Sequence, residues 1–432
     1  LYDLYDKNAP RGLHCRGIVI EMEEMVMGQE RIIHAALLGA GTVGSGVYKL
    51  VKDLEEEIIS KTGARLVVDK ILVRDTTKAR EGIPSELLID RWDEILNDPQ
   101  IEIVIEVMGG IRPALTWLEE ALRAGKQVVT ANKDLLAEYG EQLFDAAEAG
   151  KCDLHFEAAV AGAIPIIRPL KECLAGNHMA EVMGIVNGTT NFILTKMTQD
   201  GMEFKDALAL ATELGYAEAD PTADIEGHDA CRKIAILTSL VCGRQVDYED
   251  IPTEGISHIT ATDIKYANKM GRAIKLLATS KKVGDSYVAR VAPFLLSPEH
   301  PLYNVHDVFN AIFVHGNMLG DGMFYGSGAG KLPTASAVVG DMVAIAKHID
   351  KNIYLEWEKE KLVLADPNEQ VNRFFVRSAA SEAEIENIFG QVEFVESGLD
   401  DEIGFVTEAM KESDYATKAA ALGEVRQMIR LV

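Results

Sequence analysis

The chain has 432 residues, 47% of them hydrophobic and 26% charged, which is ordinary for a globular protein with two or three domains and a substantial core. Its formal net charge of −25 argues against a nucleic acid or an anionic membrane surface as a bulk partner. Five scattered cysteines without a C-x-x-C pair, and no apolar run of about 18 residues, favour a cytoplasmic protein with reduced thiols and without a zinc motif or transmembrane helix.

The N-terminal segment is expected to lie outside the folded protein. It lacks the apolar core and the small-residue cleavage site of a secretory signal. The first strand-like run begins only near Arg31. We therefore expect residues 1–26 to be a poorly ordered extension or a misassigned upstream segment, with Met27 as the natural start.

From residue 31 to about 165, strand-like apolar runs alternate with segments whose apolar residues recur at helical spacing. Strands are predicted in RIIHAALLG, RLVVDKILVR, IEIVIEVMGG, KQVVTANK and CDLHFEAAV. Helices are predicted in VGSGVYKLVKDLEEEIISK, SELLIDRWDEILND, PALTWLEEALRAGK and LLAEYGEQLFDAAEAG. This alternation predicts an α/β fold with a doubly wound parallel sheet.

Beyond residue 166 the pattern changes to that of an α+β domain. HMAEVMGIVNGTTNFIL predicts a strand, a turn and a helix; strands are predicted in SYVARVAPFLL and NAIFVHGNM, and helices in FKDALALATELG and DACRKIAILTSLVCG. GSGAGKLPTASAVVGDMVAIAKHI is a glycine-rich loop that leads into a long helix. The tail from about 366 to 432 predicts the order β-α-β-β-α-β, which is ferredoxin-like.

The stretch GAGTVGSG at 39–46 has the G-x-G-x-x-G spacing, follows a predicted strand and opens a predicted helix. In this context Gly39 allows a tight turn, Gly41 lets a pyrophosphate approach the backbone, and Gly44 allows close packing of helix on strand. The helix N-terminus offers N–H donors to phosphate. We therefore predict a dinucleotide site; the alternative is a purely structural turn.

The end of the second strand indicates which dinucleotide binds. NAD enzymes place an acidic residue there for the ribose 2′-hydroxyl. This chain has Arg74, which can pair with a 2′-phosphate, followed by Asp75. We predict NADP, with NAD also used; the alternative is that Arg74 is a solvated charge and Asp75 binds the ribose.

Six motifs, in this order, resemble those of homoserine dehydrogenases over residues 31 to about 345. They are IEVMGG (105–110), TANK (130–133), FEAAVAGAIPII (156–167), GIVNGTTNFIL (184–194), GYAEADPTADIEGHDACRKIAIL (215–237) and GAGKLPT (328–334). The resemblance implies an NAD(P)-dependent oxidoreductase of threonine, methionine and isoleucine biosynthesis that interconverts L-homoserine and L-aspartate 4-semialdehyde. It also implies a Rossmann domain at 27–165, a substrate-binding and dimerisation domain at 166–345, of which 325–345 returns to the cofactor, and an ACT-like domain at 366–432.

The resemblance places Lys133 at the nicotinamide and the substrate carbonyl, where an ammonium stabilises a developing alkoxide and relays a proton. Asp229 and Lys233 are four residues apart and share a helix face. That spacing alone is equally typical of an exposed ion pair. Within the motif, it implies that Lys233 polarises the substrate oxygen and that Asp229 orients Lys233. Repulsion between the two lysines is expected to lower the pKa of one amine.

The resemblance also implies the remaining contacts. Glu218 and Asp224 would bind the substrate's α-ammonium group, and Tyr216 would line the pocket. Gly188 and Thr189, where a helix begins, would bind its carboxylate; the alternative for Thr189 is a plain N-cap. The implied cofactor contacts, beside the glycine loop and Arg74, are Thr42, Val43, Gly109, Thr130, Lys133 and Gly330.

FEAAVAGAIPII resembles the family's structural sodium site. The ligands would be the carboxylate of Glu157 and the backbone carbonyls of Val160, Gly162 and Ile164, oxygen donors that suit a hard cation. Ala163 stands where many members of the family have glycine.

The tail departs most from the family pattern. ACT domains usually bind an amino acid at a D-x-P-G turn after the first strand, but this chain has VRSAASEAEIENIFG there. A structural or oligomerising role is therefore as compatible with the tail as inhibition by threonine. We expect a homodimer, which the tail could extend to a tetramer.

These observations predict a cytoplasmic homoserine dehydrogenase that acts on a small molecule, without a nucleic-acid or membrane partner. One alternative is another amino-acid-linked NAD(P) oxidoreductase of the same fold, which would act on a different semialdehyde. The other is a non-catalytic nucleotide sensor, which would bind the cofactor without turnover. Lys133, Asp229 and Lys233 together argue against the sensor.

Overall fold

The structure is a computed structural model that describes residues 31–349, 351, 357, 358, 360–396 and 401–432. The expected extension over 1–26 and the start at Met27 lie outside these residues. Within the described ranges, no helix combines the length and the apolar character needed to cross a membrane.

The first sheet contains six parallel strands. They are β1 (Arg31–Leu38), β2 (Ala64–Leu72), β3 (Leu88–Ile89), β4 (Ile101–Glu106), β5 (Gln127–Thr130) and β6 (Leu154–His155). Their order in the sheet is β3-β2-β1-β4-β5-β6, which reverses between β1 and β4. In doubly wound sheets, ligands bind at the carboxyl ends of the strands beside such a reversal.

Five α-helices connect these strands. They are α1 (Thr42–Asp53), α2 (Glu55–Thr62), α3 (Asp93–Leu96), α4 (Ala114–Arg123) and α5 (Lys133–Gly150). The predicted doubly wound α/β fold is confirmed. The single helix predicted over 85–98 is wrong, because Leu88 and Ile89 pair with Ile71 and Leu72 as an edge strand, which leaves a 3-10 turn at Ser85–Leu87 before it and α3 after it.

The second sheet has nine strands along its main path and one short strand beside it. The strands are β7 (Met179–Ile185), β8 (Ala273–Val283), β9 (Ser286–Leu296), β10 (Phe309–Gly316), β11 (Gly320–Ser327), β12 (Val371–Ser378), β13 (Val392–Val395), β14 (Ile403–Thr407), β15 (Met410–Lys411) and β16 (Val425–Leu431). The path runs β11-β10-β7-β8-β9-β16-β12-β14-β13, and β15 pairs with β12. The sequence patterns predict neither β8 nor β11.

The helices of this second part cover the sheet and lead the chain back to the first. They are α6 (Gly188–Gln199), α7 (Phe204–Glu213), α8 (Thr222–Ile225), α9 (His228–Cys242), α10 (Ala261–Lys269), α11 (Lys331–His348), α12 (Glu382–Phe389) and α13 (Glu412–Leu422). Helix α11 packs on α1 so closely that a Cβ at Gly46 would lie 3.0 Å from the Cβ of Ala335. The chain therefore returns from the second sheet to the glycine loop.

The tail is continuous with the second sheet. Its elements follow the predicted order β-α-β-β-α-β, apart from the two-residue β15. Strand β16 pairs in parallel with β9, with Arg430 opposite Phe294 and Leu431 opposite Leu295.

Buried ion pairs strengthen the junction between the tail and the rest of the second sheet. Arg377 on β12 contacts Asp263 on α10 at 2.6 Å and Glu402 at 2.7 Å. Arg430 on β16 contacts Glu412 at 2.7 Å and Glu254, before α10, at 3.0 Å. Each arginine thus bridges a carboxylate of the tail and a carboxylate outside it.

Candidate active site

The glycine loop between β1 and α1 has the geometry that a dinucleotide requires. Gly39 has a φ of +103°, which a residue with a side chain rarely adopts. A Cβ at Gly44 would lie 2.1 Å from the carbonyl oxygen of Gly39, so only glycine lets the helix pack here. No atom lies within 4 Å of the Cβ position of Gly41, which leaves room for a pyrophosphate. Because α1 has no side-chain cap, the N–H groups of its first turn, at Thr42 and Val43, suit an anion.

Arg74 and Asp75, just after β2, differ in the hydrogen bonding of their side chains. The carboxylate of Asp75 accepts hydrogen bonds from the hydroxyl of Thr77 at 2.6 Å and from its N–H at 2.9 Å. These hydrogen bonds lower the pKa of Asp75. Arg74 is exposed at the strand end. The acidic side chain therefore stabilises a local turn, while the guanidinium faces solvent beside the glycine loop.

A buried glutamate joins two of the expected cofactor contacts. Glu106, the last residue of β4, accepts hydrogen bonds from the hydroxyl of Thr130 at 2.7 Å and from the N–H of Gly109 at 3.1 Å. It is fully buried. The sequence analysis missed Glu106, although an acidic residue at the end of the apolar strand IEIVIE is a signal for such a role. Its carboxylate fixes the loop after β4 against the end of β5.

Lys133, Asp229 and Lys233 meet between the two sheets. Lys133 is the first residue of α5, and Asp229 and Lys233 lie one turn apart on α9. The carboxylate of Asp229 lies 2.7 Å from Nζ of Lys233 and 3.3 Å from Nζ of Lys133. Nζ of Lys233 also donates to the carbonyl of Val186 at 2.7 Å. The aspartate is only 8% exposed, so this is not a pair on a solvated helix face.

The charges of this cluster stabilise one another. Burial alone would raise the pKa of Asp229, but Lys233 and Lys133 outweigh burial and hold it at about 2. Burial would lower the pKa of Lys133, but the charge of Asp229 outweighs it and the pKa is raised. The expectation that lysine–lysine repulsion lowers an amine pKa is therefore wrong for Lys133, because a carboxylate contacts both ammonium groups.

A cavity of about 550 Å³ brings the expected substrate contacts together. Those that line it are Gly188, Thr189, Tyr216, Glu218, Asp224, Asp229, Lys233 and Gly330. Glu218 and Tyr216 are exposed at the rim, and Asp224 is half-buried. The cavity thus combines a lysine with several carboxylates, one of which contacts that lysine.

Asn187, which the sequence analysis did not single out, organises the cavity. Its Nδ2 donates to Asp224 at 2.7 Å and to Asp229 at 2.9 Å. Its Oδ1 accepts the N–H of Thr190 and so caps α6. The N-cap alternative for Thr189 is therefore wrong. The hydroxyl of Thr189 donates instead to the carbonyl of Tyr216 at 2.8 Å.

The loop expected to bind sodium lies beside the cavity. The carboxylate of Glu157 accepts hydrogen bonds from three backbone N–H groups, at Ile166, Ile167 and Arg168. A carboxylate has about four lone-pair sites, so at most one remains for a cation. Within the described part of the chain, no hydrogen bond reaches the carbonyl oxygens of Val160, Gly162 or Ile164. No group of three His, Cys, Asp or Glu side chains that could hold a metal occurs in these ranges either.

A glycine loop at the reversal of a parallel sheet, next to a cavity with a lysine-flanked carboxylate, defines an oxidoreductase that uses a nicotinamide dinucleotide. Two family models match the chain: "Homoserine dehydrogenase, NAD binding domain" over residues 39–157 and "Homoserine dehydrogenase" over residues 165–343. The chain belongs to the homoserine dehydrogenase family.

Individual relatives agree with the family models. The homoserine dehydrogenase of Corynebacterium glutamicum is 50% identical over 326 residues, 74% of this chain and 73% of that protein. The crystal structure of a homoserine dehydrogenase from Thiobacillus denitrificans has a TM-score of 0.86 at 36% identity, covering 93% of this chain and 98% of that one. A hyperthermophilic archaeal homoserine dehydrogenase in complex with NADPH has a TM-score of 0.62 at 28% identity, covering 72% and 97%.

Proposed function

We propose that this protein interconverts L-homoserine and L-aspartate 4-semialdehyde, a step in the biosynthesis of threonine, methionine and isoleucine. The observation that carries the proposal is the contact of Asp229 with both Lys133 and Lys233 at the wall of the cavity. One lysine comes from the part of the chain that carries the glycine loop, and the other from the part that carries the cavity. This arrangement supports a role for the two cations between a cofactor and a substrate.

The two ammonium groups act on the C4 oxygen of the substrate. When bound, the nicotinamide exchanges a hydride with C4. In the direction of reduction the oxygen gains negative charge, which Lys233 and Lys133 stabilise and one of them neutralises with a proton. Asp229 raises the pKa of Lys133 and keeps both amines oriented between turnovers.

The other end of the substrate binds at the first turn of α6 and at the carboxylates that line the cavity. The N–H groups of Gly188 and Thr189, in the first turn of α6, receive the carboxylate. Asp224 and Glu218 receive the α-ammonium group, and Tyr216 covers the pocket. The cavity therefore offers complementary charge to each end of an amino acid.

The cofactor of this proposal is NADP, with NAD also used. The glycine loop and the first turn of α1 would hold the pyrophosphate, and Arg74 would pair with the 2′-phosphate. The free guanidinium of Arg74 and the engaged carboxylate of Asp75 support this preference. Gly109, Thr130 and Gly330 complete the contacts.

Sodium is proposed as a structural ion held mainly by the carbonyls of Val160, Gly162 and Ile164. Glu157 contributes its remaining lone pair and, through its three N–H contacts, fixes the loop. We expect sodium to raise the melting temperature more than lithium or choline at equal ionic strength. Equal melting temperatures in all three salts would contradict the site.

The organisation proposed with this function is a Rossmann domain at 27–165, a substrate-binding and dimerisation domain at 166–345 and an ACT-like domain at 366–432. The protein works in the cytoplasm as a homodimer. Because the tail lacks the D-x-P-G turn, we expect threonine to leave the activity unchanged. Sedimentation tests the homodimer, and a titration of the activity with threonine tests the expected lack of inhibition.

The test of the proposed activity is an assay with L-homoserine, run separately with NAD and NADP and followed by the absorbance of the reduced nicotinamide. We expect turnover with NADP, and a loss of about 10³-fold in kcat for Lys233→Ala with cofactor binding unchanged. Lys205→Ala, on an exposed lysine of α7, is the control. Cofactor binding without turnover would favour the sensor, and turnover of another semialdehyde alone would favour the related oxidoreductase.

A further inference from the structure

Asn310 is a buried polar residue behind the wall of the substrate cavity. It lies on β10, opposite Gly326 of β11, and is 1% exposed. Neither Nδ2 nor Oδ1 of its amide has a hydrogen-bond partner among the described residues. The side chain is therefore shielded from solvent, and its amide is unpaired within the described part of the chain.

The amide of Asn310 lies directly behind two glycines of that wall. A Cβ at Gly328 would lie 2.2 Å from Cγ of Asn310, and a Cβ at Gly188 would lie 3.5 Å from its Oδ1. Gly188 and Gly328 both line the cavity. Gly188 begins α6, where the substrate carboxylate is proposed to bind, and Gly328 leads to the cofactor contact Gly330. The amide thus touches both walls that meet at the substrate.

The neighbouring Asn191 is a buried asparagine with a structural role, and its hydrogen bonds differ from those of Asn310. Asn191 is also buried, but its Nδ2 donates to the carbonyls of Asp307 at 2.9 Å and Phe309 at 3.2 Å. Asn191 therefore holds the segment before β10 in place. A buried amide without partners destabilises the state in which it is found, and native proteins contain few of them.

We propose that Asn310 is a positioning residue of the substrate site. When substrate fills the cavity, the amide hydrogen-bonds the backbone at Gly188 and Gly328 and fixes the N-terminus of α6 and the Gly328–Gly330 loop around the substrate. Substrate binding then supplies the partners that the amide lacks in the unliganded protein. This inference rests on the proposed substrate site at α6.

The proposal predicts that removal of the amide has opposite effects on stability and on substrate binding. We expect Asn310→Leu to keep or raise the melting temperature of the unliganded protein. Asn310→Ala is a second variant, in case leucine overfills the space at Gly328, and we expect the same result from it. In the same variants we expect KM for L-homoserine to rise about tenfold, with kcat and KM for NADP little changed. Asn191→Ala is the matched control, and it should lower the melting temperature because it removes satisfied hydrogen bonds.

The outcomes separate this inference from the proposed function. An unchanged KM for L-homoserine in a folded Asn310→Ala variant would overturn the inference alone. So would a lower melting temperature with a parallel rise of both KM values, since that is the signature of a merely structural residue. If the unsubstituted protein does not turn over L-homoserine, the proposed function falls and this inference falls with it.

Discussion

Two buried charge clusters each join two parts of this chain, and they use different cations. In the active site, the carboxylate of Asp229 lies between Lys133 and Lys233. At the junction with the tail, the guanidinium of Arg377 lies between Asp263 and Glu402. One cluster is an anion between two cations, and the other is a cation between two anions.

The difference follows from the shapes of the two cations. Arg377 contacts Glu402 through two nitrogens, at 2.9 and 2.7 Å, and Asp263 through a third, so no donor-rich face remains for a ligand. Lys133 makes one contact at 3.3 Å and its side chain is still 33% exposed. The planar guanidinium of arginine suits a permanent structural contact, whereas the compact ammonium of lysine can still bind a substrate oxygen. The lysine cluster is therefore suited to chemistry and the arginine cluster to cohesion.

The largest effect should come from removing the arginine. Arg377→Met leaves the buried carboxylates of Asp263 and Glu402 without their main cation, and we expect the free energy of unfolding to fall by about 3–5 kcal/mol. Denaturant titration measures the change. The control is Lys411→Met, whose exposed pair with Glu369 should contribute little to stability. Equal losses of unfolding free energy in the two variants would show that the buried arginine cluster contributes no more to cohesion than an exposed ion pair.

The next effect concerns the lysine cluster and is kinetic. Asp229→Asn removes the charge that holds both lysines, and we expect kcat to fall about 100-fold while the fold is kept. Steady-state kinetics with L-homoserine measure it. Asp134→Asn, next to Lys133 but in a half-buried pair with Arg232, is the matched control and should leave kcat nearly unchanged. A similar loss in both variants would mean that the position of Asp229 between the lysines is irrelevant.

The lysine cluster should also affect the stability of the protein at acidic pH. The pKa of Asp229 is lowered to about 2 in the folded protein, below its value of about 3.9 in an unfolded chain. The folded state then binds fewer protons, so this carboxylate stabilises the fold above about pH 4 and the contribution, roughly 2 kcal/mol, is lost as the pH falls toward 2. Stability measured against pH should therefore fall less steeply for Asp229→Asn than for the unsubstituted protein. Parallel curves would show that the cluster adds no stability.

The smallest effect should be at the cofactor, where Arg74 is an exposed cation outside both clusters. Arg74→Ala should lower the ratio of kcat/KM for NADP to kcat/KM for NAD by about tenfold, since a surface charge contributes modestly. Arg91→Ala, on another exposed arginine of the same part of the chain, is the control. An unchanged ratio would assign the ribose to Asp75 after all.

The glycine loop and the alternating pattern are sufficient to predict five of the six strands of the first sheet, because both signals are local. The helix expected over 85–98 was wrong, since Leu88 and Ile89 add a strand to the sheet edge only through contact with β2, which a local pattern does not contain. β8 was missed for a similar reason. Its segment AIKLLATSKKV is apolar without alternation over its first half, since both faces are covered there.

The candidate site shows the same limit. The i,i+4 spacing of Asp229 and Lys233 can be read from the chain, but the contact with Lys133 joins residues far apart in sequence. Asn187, and not Thr189, caps α6, and its two hydrogen bonds to carboxylates depend on how α8 and α9 fold back. Residue types could be predicted from the sequence, whereas the partners of each side chain required the fold.

The pairing of β16 with β9 also bears on the solubility of shortened forms of this chain. Removing the tail would uncover the backbone N–H and C=O groups of β9 near Phe294 and Leu295, in a strand whose side chains are almost all buried. Such an uncapped apolar edge is a template for strands of other molecules. We therefore expect β16 to prevent the edge of β9 from pairing with strands of other molecules, independently of any other function of the tail.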